Sequence, residues 1–307
     1  MLPPSQITLS SRLGFIGLGH LGSPIARRLV AAGFPMVVFD RDPKKTADLI
    51  SLGANGSPHP RTLATEVDVV LSCLPDEPSV EDVYMGSGDV LHSARPGTRI
   101  IELSTISPEA SRKLHQAARQ HNLSALDVAV SGSAPTAETG ALTLFGGGDR
   151  KTFEAAASIF AAIARQWFYM GPGGSGVAMK LVVNTLLGVG MQAIAEAVAL
   201  GSSLGLPRDL LFETLAKTAV VAPAHTGKLA TAEKYDYAPQ FPIRLMHKDF
   251  GLILAAAEQF GLSMPATAAA AEINSAEAAT GIEEDFSAII RWMERWAEVK
   301  HVLPPAA

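Results

Sequence analysis

From residue 13 to about residue 170 the chain alternates short apolar runs with longer stretches of helical period. The short runs are 13–16, 36–39, 67–73, 99–103, 124–130, 141–145 and 166–170. Runs so short predict strands, and 67–73 and 99–103 are so continuously apolar that they read as parallel strands buried on both faces. Between the first two, Leu21, Ile25, Leu29 and Ala32 recur at helical spacing, and Gly33 supplies a stop. Ser107 is a predicted N-cap for a helix running to about Gln120. The stretch 134–140 reads as a loop, Gly146-Gly147-Gly148 as a turn, and 152–164 as one helix.

The pattern breaks at Gly171-Pro172-Gly173-Gly174-Ser175-Gly176. Beyond it no strand pattern appears. Residues 177–204 are apolar nearly all round, which predicts one long helix buried in its own domain or against a partner chain. Pro207 opens another helix, and three or four more follow to about residue 302. His247-Lys248-Asp249 reads as a polar start ahead of an apolar helix over 250–260. Two domains are therefore expected, 1–174 with alternating strands and helices and 175–307 all helical, with the functional cleft between them.

Composition narrows the classes. The chain has 307 residues, 48% of them apolar, enough for two cores. A net charge of −5 with no basic run argues against nucleic acid. The single cysteine, Cys73, excludes a disulfide framework within one chain and fits a reducing cytoplasm. It sits in an apolar run and is read as a small buried hydrophobe. The start, MLPPSQITLSSR, lacks the charged-then-apolar form of a signal peptide, and the end, VLPPAA, is expected to fray. No apolar run of membrane-spanning length is free of glycine and polar residues, so no membrane partner is expected.

The first helix carries the candidate chemistry. Gly17, Gly19 and Gly22 form G-x-G-x-x-G, through Leu18, His20 and Leu21, directly after an apolar run and directly before the helix. The first glycine permits a tight turn, the second lets a pyrophosphate approach the backbone, and the third lets helix and strand pack closely. The helix N-terminus then faces the phosphates. Asp40 closes the next strand about 20 residues on, where an acid accepts hydrogen bonds from an adenosine ribose. This is the fingerprint of an α/β Rossmann domain. Asp40 favours NAD, because a carboxylate repels a 2′-phosphate; the neighbouring Arg41 keeps NADP open. Leu74 and Pro75, and Ser104 with Thr105, follow strands at the carboxyl edge where ligands sit; capping is the plainer reading of Ser104 and Thr105. No metal site is expected.

Lys180 and Asn184 stand four residues apart on the long helix, on one face. Polar groups in so apolar a helix require partners or a function. A lysine snorkelling from the first turn is the competing reading.

Six motifs in order give the chain a resemblance to the β-hydroxyacid dehydrogenase family, which includes 3-hydroxyisobutyrate dehydrogenases and tartronate semialdehyde reductases. They are GFIGLGHLG at 14–22, CLPDEPSV at 73–80, ELSTISP at 102–108, DVAVSGS at 127–133 with GALTLFGG at 140–147, GSGVAMKLVVN at 174–184, and PQFPIRLMHKDFGL at 239–252. The resemblance implies that Lys180 is the catalytic acid/base. It implies that Ser131, Gly132 and Asn184 hold a small carboxylic-acid substrate, with donors on its carboxylate and hydroxyl. Thr105, Leu74 and Pro75 would border the nicotinamide, and Lys248 would reach cofactor or substrate. Beside a cationic nicotinamide in an apolar cleft, a lysine has its charged form disfavoured by desolvation and by like charge, which suits proton transfer at neutral pH.

The family stretch Asp-Ala-Pro-Val-Ser-Gly-Gly is here Asp127-Val128-Ala129-Val130-Ser131-Gly132-Ser133. Ser133 adds a hydroxyl and bulk where substrate is expected, so a more polar or differently shaped 3-hydroxy acid, or its semialdehyde, is the expected substrate. The expected activity is hydride transfer between NAD(P) and such an acid, in a cytoplasmic homodimer or homotetramer. An imine reductase of the same architecture is the alternative, though such enzymes commonly carry another residue at the position of Lys180. A non-catalytic dinucleotide-binding interaction module is the third reading, and it has no need of both Lys180 and Asn184. A 6-phosphogluconate dehydrogenase shares the Lys-x-x-x-Asn spacing but has a larger helical domain.

Overall fold

The computed structural model describes residues 6–301, with side chains described to residue 297. The expected frayed tail and the first five residues lie outside the described residues. The chain divides into two compact units, Met1–Lys180 and Leu181–Ala307.

The first unit is built on one eight-stranded sheet of order β3-β2-β1-β4-β5-β6-β7-β8. Its strands are β1 Leu13–Ile16, β2 Met36–Phe39, β3 Asn55–Gly56, β4 Val69–Ser72, β5 Arg99–Glu102, β6 Ser124–Ser131, β7 Leu142–Gly148 and β8 Ala164–Gly171. Neighbours pair in parallel except β6 with β7, which are antiparallel. Helices cover both faces, as a parallel sheet requires, and two apolar clusters fill the two layers. Phe15, Val38, Leu71 and Ile101 face one layer, while Ile16, Val37, Val70 and Ile100 face the other. That alternation is why these four strands, β1, β2, β4 and β5, read as nearly unbroken apolar sequence. The order reverses between β1 and β4, and ligands bind beyond the carboxyl ends at such a point.

Four local readings are corrected. The stretch 134–140 contains a helix, Ala134–Glu138, with Pro135 in its first turn. The helix expected over 152–164 is two helices, Arg150–Ala155 and Ala157–Ile163. Gly146, Gly147 and Gly148 belong to β7 rather than to a turn. Close packing demands them: a Cβ on Gly146 would stand 2.0 Å from the Phe153 ring, and one on Gly147 would stand 2.6 Å from the Asp127 carboxylate. Cys73 is only half-buried. The two-residue β3 left no hydrophobic pattern to detect.

The second unit is helical: Arg208–Lys217, Pro223–Ala232, Ile243–Gln259, Pro265–Ala278 and Ile289–His301, together with most of the long helix Ser175–Ser203. Met191, Ile194, Phe212, Met246, Phe250 and Ile289 lie in its core. The long helix matches its expected extent but is not buried all round, since Val182, Leu186 and Leu200 are exposed, Leu186 by 73%. By length and composition it is able to cross a membrane, with a mean hydropathy of 1.6. Lys180, Asn184 and Gln192 are nevertheless buried along it.

Candidate active site

The glycine turn is built as its spacing demands. Gly17 has φ +92°, and a Cβ there would stand 2.4 Å from the Cys73 carbonyl oxygen. A Cβ on Gly22 would stand 2.0 Å from the Gly17 carbonyl oxygen. Gly19 is different: nothing lies within 4 Å of where its Cβ would be, and it is exposed together with His20. Two glycines thus close the turn on itself and the third leaves an open cradle at the start of the helix Gly22–Ala31, the place a pyrophosphate takes. The residues present fit a dinucleotide.

Asp40, just past β2, accepts from the Leu18 amide at 2.7 Å and from the Asp42 amide at 2.9 Å. It ties the glycine turn to the end of β2. Lys45 stands 3.8 Å away and Arg41 is exposed.

The other loops at this edge are also fixed from below. Ser104 Oγ accepts from the Leu74 amide at 2.7 Å, and the Ser104 amide donates to Glu102 Oε1 at 2.7 Å. Ser104 therefore serves the scaffold, while Leu74 and Thr105 are half-buried and Pro75 is exposed. Beneath them Glu102 also bonds to the Ser72 hydroxyl, which lies 2.5 Å from the Tyr84 hydroxyl. Burial pushes the Glu102 carboxyl up to about 7 and raises the Tyr84 phenol well above its ordinary value.

At the end of β6, Ser131 is half-buried and Gly132 is exposed at φ +139°. Ser133, the residue that departs from the family pattern, is half-buried, with its hydroxyl 3.1 Å from that of Thr136.

Lys180 is buried to 9% exposure, one turn into the long helix. Asn184, wholly buried, lies in the second unit. Its amide nitrogen donates to Asp249 Oδ2 at 2.6 Å. A carboxylate only accepts, so the amide orientation is fixed. The Asn184 Oδ1 has no hydrogen-bond partner among the described residues. Lys248 Nζ stands 3.1 Å from the other Asp249 oxygen. His247-Lys248-Asp249 thus lies inside the helix Ile243–Gln259, not ahead of it, because the helix starts directly after Pro242. The sequence does not point to Asp249 as the partner of Asn184. A signal of its burial is present: Ile243, Met246, Phe250, Ile253 and Ala257 mark the buried face, and Asp249 falls on it. Among the described residues no group of three or more His, Cys, Asp or Glu is placed to hold a metal.

Two family models cover nearly the whole chain. One, described as the NAD binding domain of 6-phosphogluconate dehydrogenase, matches residues 12–171. The other, described as NAD-binding of NADP-dependent 3-hydroxyisobutyrate dehydrogenase, matches residues 174–293. A 2-(hydroxymethyl)glutarate dehydrogenase of Eubacterium barkeri is 33% identical over 94% of this chain and 97% of its own. The chain belongs to the β-hydroxyacid dehydrogenase family. An NAD-dependent L-serine dehydrogenase of Pseudomonas aeruginosa is 38% identical to this family member over 83% of the chain and 88% of its own. The solved Mycobacterium tuberculosis 3-hydroxyisobutyrate dehydrogenase with L-serine superposes with a TM-score of 0.83 at 32% identity, covering 92% of this chain and 99% of that one. Solved imine reductases, at 18–19% identity and TM-scores of 0.61–0.64, share the fold alone. This β-hydroxyacid dehydrogenase is an NAD(P)-dependent oxidoreductase acting on a small hydroxy acid.

Proposed function

We infer that the enzyme moves a hydride between NAD(P) and a small, polar 3-hydroxy acid or its semialdehyde, with Lys180 as general acid/base. The observation that carries this reading is a buried lysine on the same helix face as an asparagine held by a buried acid. When bound, the nicotinamide supplies or takes up the hydride. In the oxidative direction Lys180 accepts the hydroxyl proton as the carbinol carbon loses its hydride, and in the reductive direction it returns that proton. Ser131 and Gly132 offer hydroxyl and backbone donors to the carboxylate. Asn184, with its nitrogen committed to Asp249, offers its unpartnered Oδ1 as an acceptor that helps to hold the substrate. Gly17–Gly22 hold the pyrophosphate and Asp40 the adenosine ribose, which favours NAD. Leu74, Pro75 and Thr105 border the nicotinamide, and Lys248 serves the cofactor or substrate carboxylate.

The domain boundary is taken at 174/175 in the glycine run; one family model ends at 171 and the other begins at 174. A homodimer or homotetramer in the cytoplasm is the working form; the exposed Val182, Leu186 and Leu200 on one long helix support association of copies. The L-serine named for two relatives, together with the hydroxyl of Ser133, points to serine-like 3-hydroxy acids as substrates. The test is an absorbance screen at the NADH band with NAD and NADP against 3-hydroxy acids, including serine, and against cyclic imines in the reverse direction. Turnover of a 3-hydroxy acid is expected; turnover of imines alone would overturn the reading.

A further inference from the structure

Asp127 is a buried carboxylate, 1% exposed, that the proposed chemistry does not use. It stands on β6, four residues before Ser131 and on the same side of that strand. Its Oδ1 accepts from the Gly174 amide at 2.8 Å and lies 2.9 Å from His115 Nε2, while Oδ2 accepts from the Val177 amide at 3.0 Å. Gly174 directly precedes the long helix and Val177 lies in its first turn, where amide donors have no partner within the helix. A capping residue within the helix itself commonly fills this need. Here the carboxylate arrives from a strand instead, and its charge also suits the positive end of the helix dipole.

The surroundings are cut away to allow it. Asp127 pairs in register with Gly147 of β7. A Cβ at Gly147 would stand 2.6 Å from the carboxylate and 2.8 Å from the Gly176 amide nitrogen. A Cβ at Gly176 would stand 2.5 Å from the Asp127 carbonyl oxygen, and one at Gly173 would stand 2.7 Å from the His115 ring. Each glycine removes an obstacle between strand and helix. Lys180 lies three residues beyond Val177, one turn further along that helix, at roughly 1.5 Å of rise per residue.

We propose that Asp127, braced by His115, is a positioning residue that fixes the helix bearing Lys180 to the strand bearing Ser131, and so sets the distance from the lysine amine to the substrate carboxylate. The proposal rests on Lys180 as the acid/base. It explains why one strand carries both an anchor and a substrate residue. Lengths along β6 and along one helical turn are rigid, so the spacing of the two functional groups is set by hydrogen bonds remote from either.

The experiment is a double-mutant cycle with Asp127→Asn, Lys180→Ala and the double variant, read as kcat, substrate KM and NADH affinity. A shift of about 1 Å in a reacting group costs on the order of 10²-fold, so Asp127→Asn should lower kcat roughly 10- to 100-fold with NADH affinity unchanged. In the Lys180→Ala background the same substitution should change turnover less than about twofold, since a lysine that is absent cannot be misplaced. Equal losses in both backgrounds, or full kcat in Asp127→Asn, would overturn the proposal. Should Asp127→Asn fail to fold, His115→Leu and His115→Gln replace it. The leucine should lower kcat and the glutamine, which keeps an N–H donor, should restore it; equal kcat in the two would overturn it. Near-normal turnover in Lys180→Ala would instead remove the lysine's role, a separate outcome.

Discussion

The Asn184 side-chain nitrogen donates to Asp249 Oδ2 at 2.6 Å, joining the long helix to the helix Ile243–Gln259 inside the second unit. Both residues are buried, and a charge-assisted bond in such a place is short and strong. Asp249 also holds Lys248 at 3.1 Å. The acid therefore dictates which way the asparagine faces. Asp249→Ala should lower kcat/KM for the acid substrate roughly 10- to 100-fold, about 1.4–3 kcal/mol, and should add little in an Asn184→Ala background. Losses that multiply would show that the two act separately.

Gly19 and Gly147 separate function from fold. A methyl at Gly19 meets nothing within 4 Å, so Gly19→Ala should leave thermal unfolding unchanged while weakening NADH binding about tenfold, about 1.4 kcal/mol. Gly147→Ala drives a methyl to 2.6 Å from Asp127 and should cost about 1–3 kcal/mol of stability. Calorimetry and fluorescence titration of both variants check this. Unchanged NADH affinity in Gly19→Ala would place the pyrophosphate elsewhere.

These glycines also mark where the sequence stops being legible. Those at 17–22 were readable because a strand precedes them, a helix follows them, and the chemistry of the turn is local. Those at 146–148 were read as a turn, because what they clear is supplied by Phe153, Asp127 and His115 from other elements. The central strands β1, β2, β4 and β5 are plain, being largely apolar and buried on both faces. Lys180 and Asn184 stood out as polar breaks in an apolar helix. Asp249 and Asp127 show no partner in the sequence, because the groups they bond are brought in from 65 and about 50 residues away.

In the proposed reading Asp40 governs the choice of cofactor. Its carboxylate sits at the end of β2, bonded to the Leu18 and Asp42 amides, where it would repel a 2′-phosphate. Asp40→Ser should raise NADP use relative to NAD by roughly tenfold, about 1.4 kcal/mol. Steady-state rates with both cofactors measure it, and an unchanged ratio would remove Asp40 from the ribose site.

Glu102 ties stability to pH. Burial lifts its carboxyl from an ordinary 4.5 to about 7, so the folded chain holds this proton more tightly than the unfolded chain does. The stabilisation is fully present below about 4.5 and is lost as pH rises through about 7, an effect on the order of 3 kcal/mol. Glu102→Gln stays neutral throughout. The fall in unfolding temperature between pH 5 and pH 8 should therefore be shallower in the variant than in the native enzyme; parallel curves would show that Glu102 titrates normally.

We assign the proton to Lys180, and removing its amine tests that assignment most directly. Lys180→Ala should bind NADH as the native enzyme does and lose about 10²- to 10⁴-fold in turnover of the 3-hydroxy acid. Turnover close to native in a variant that binds NADH normally would contradict the assignment of Lys180 as acid/base.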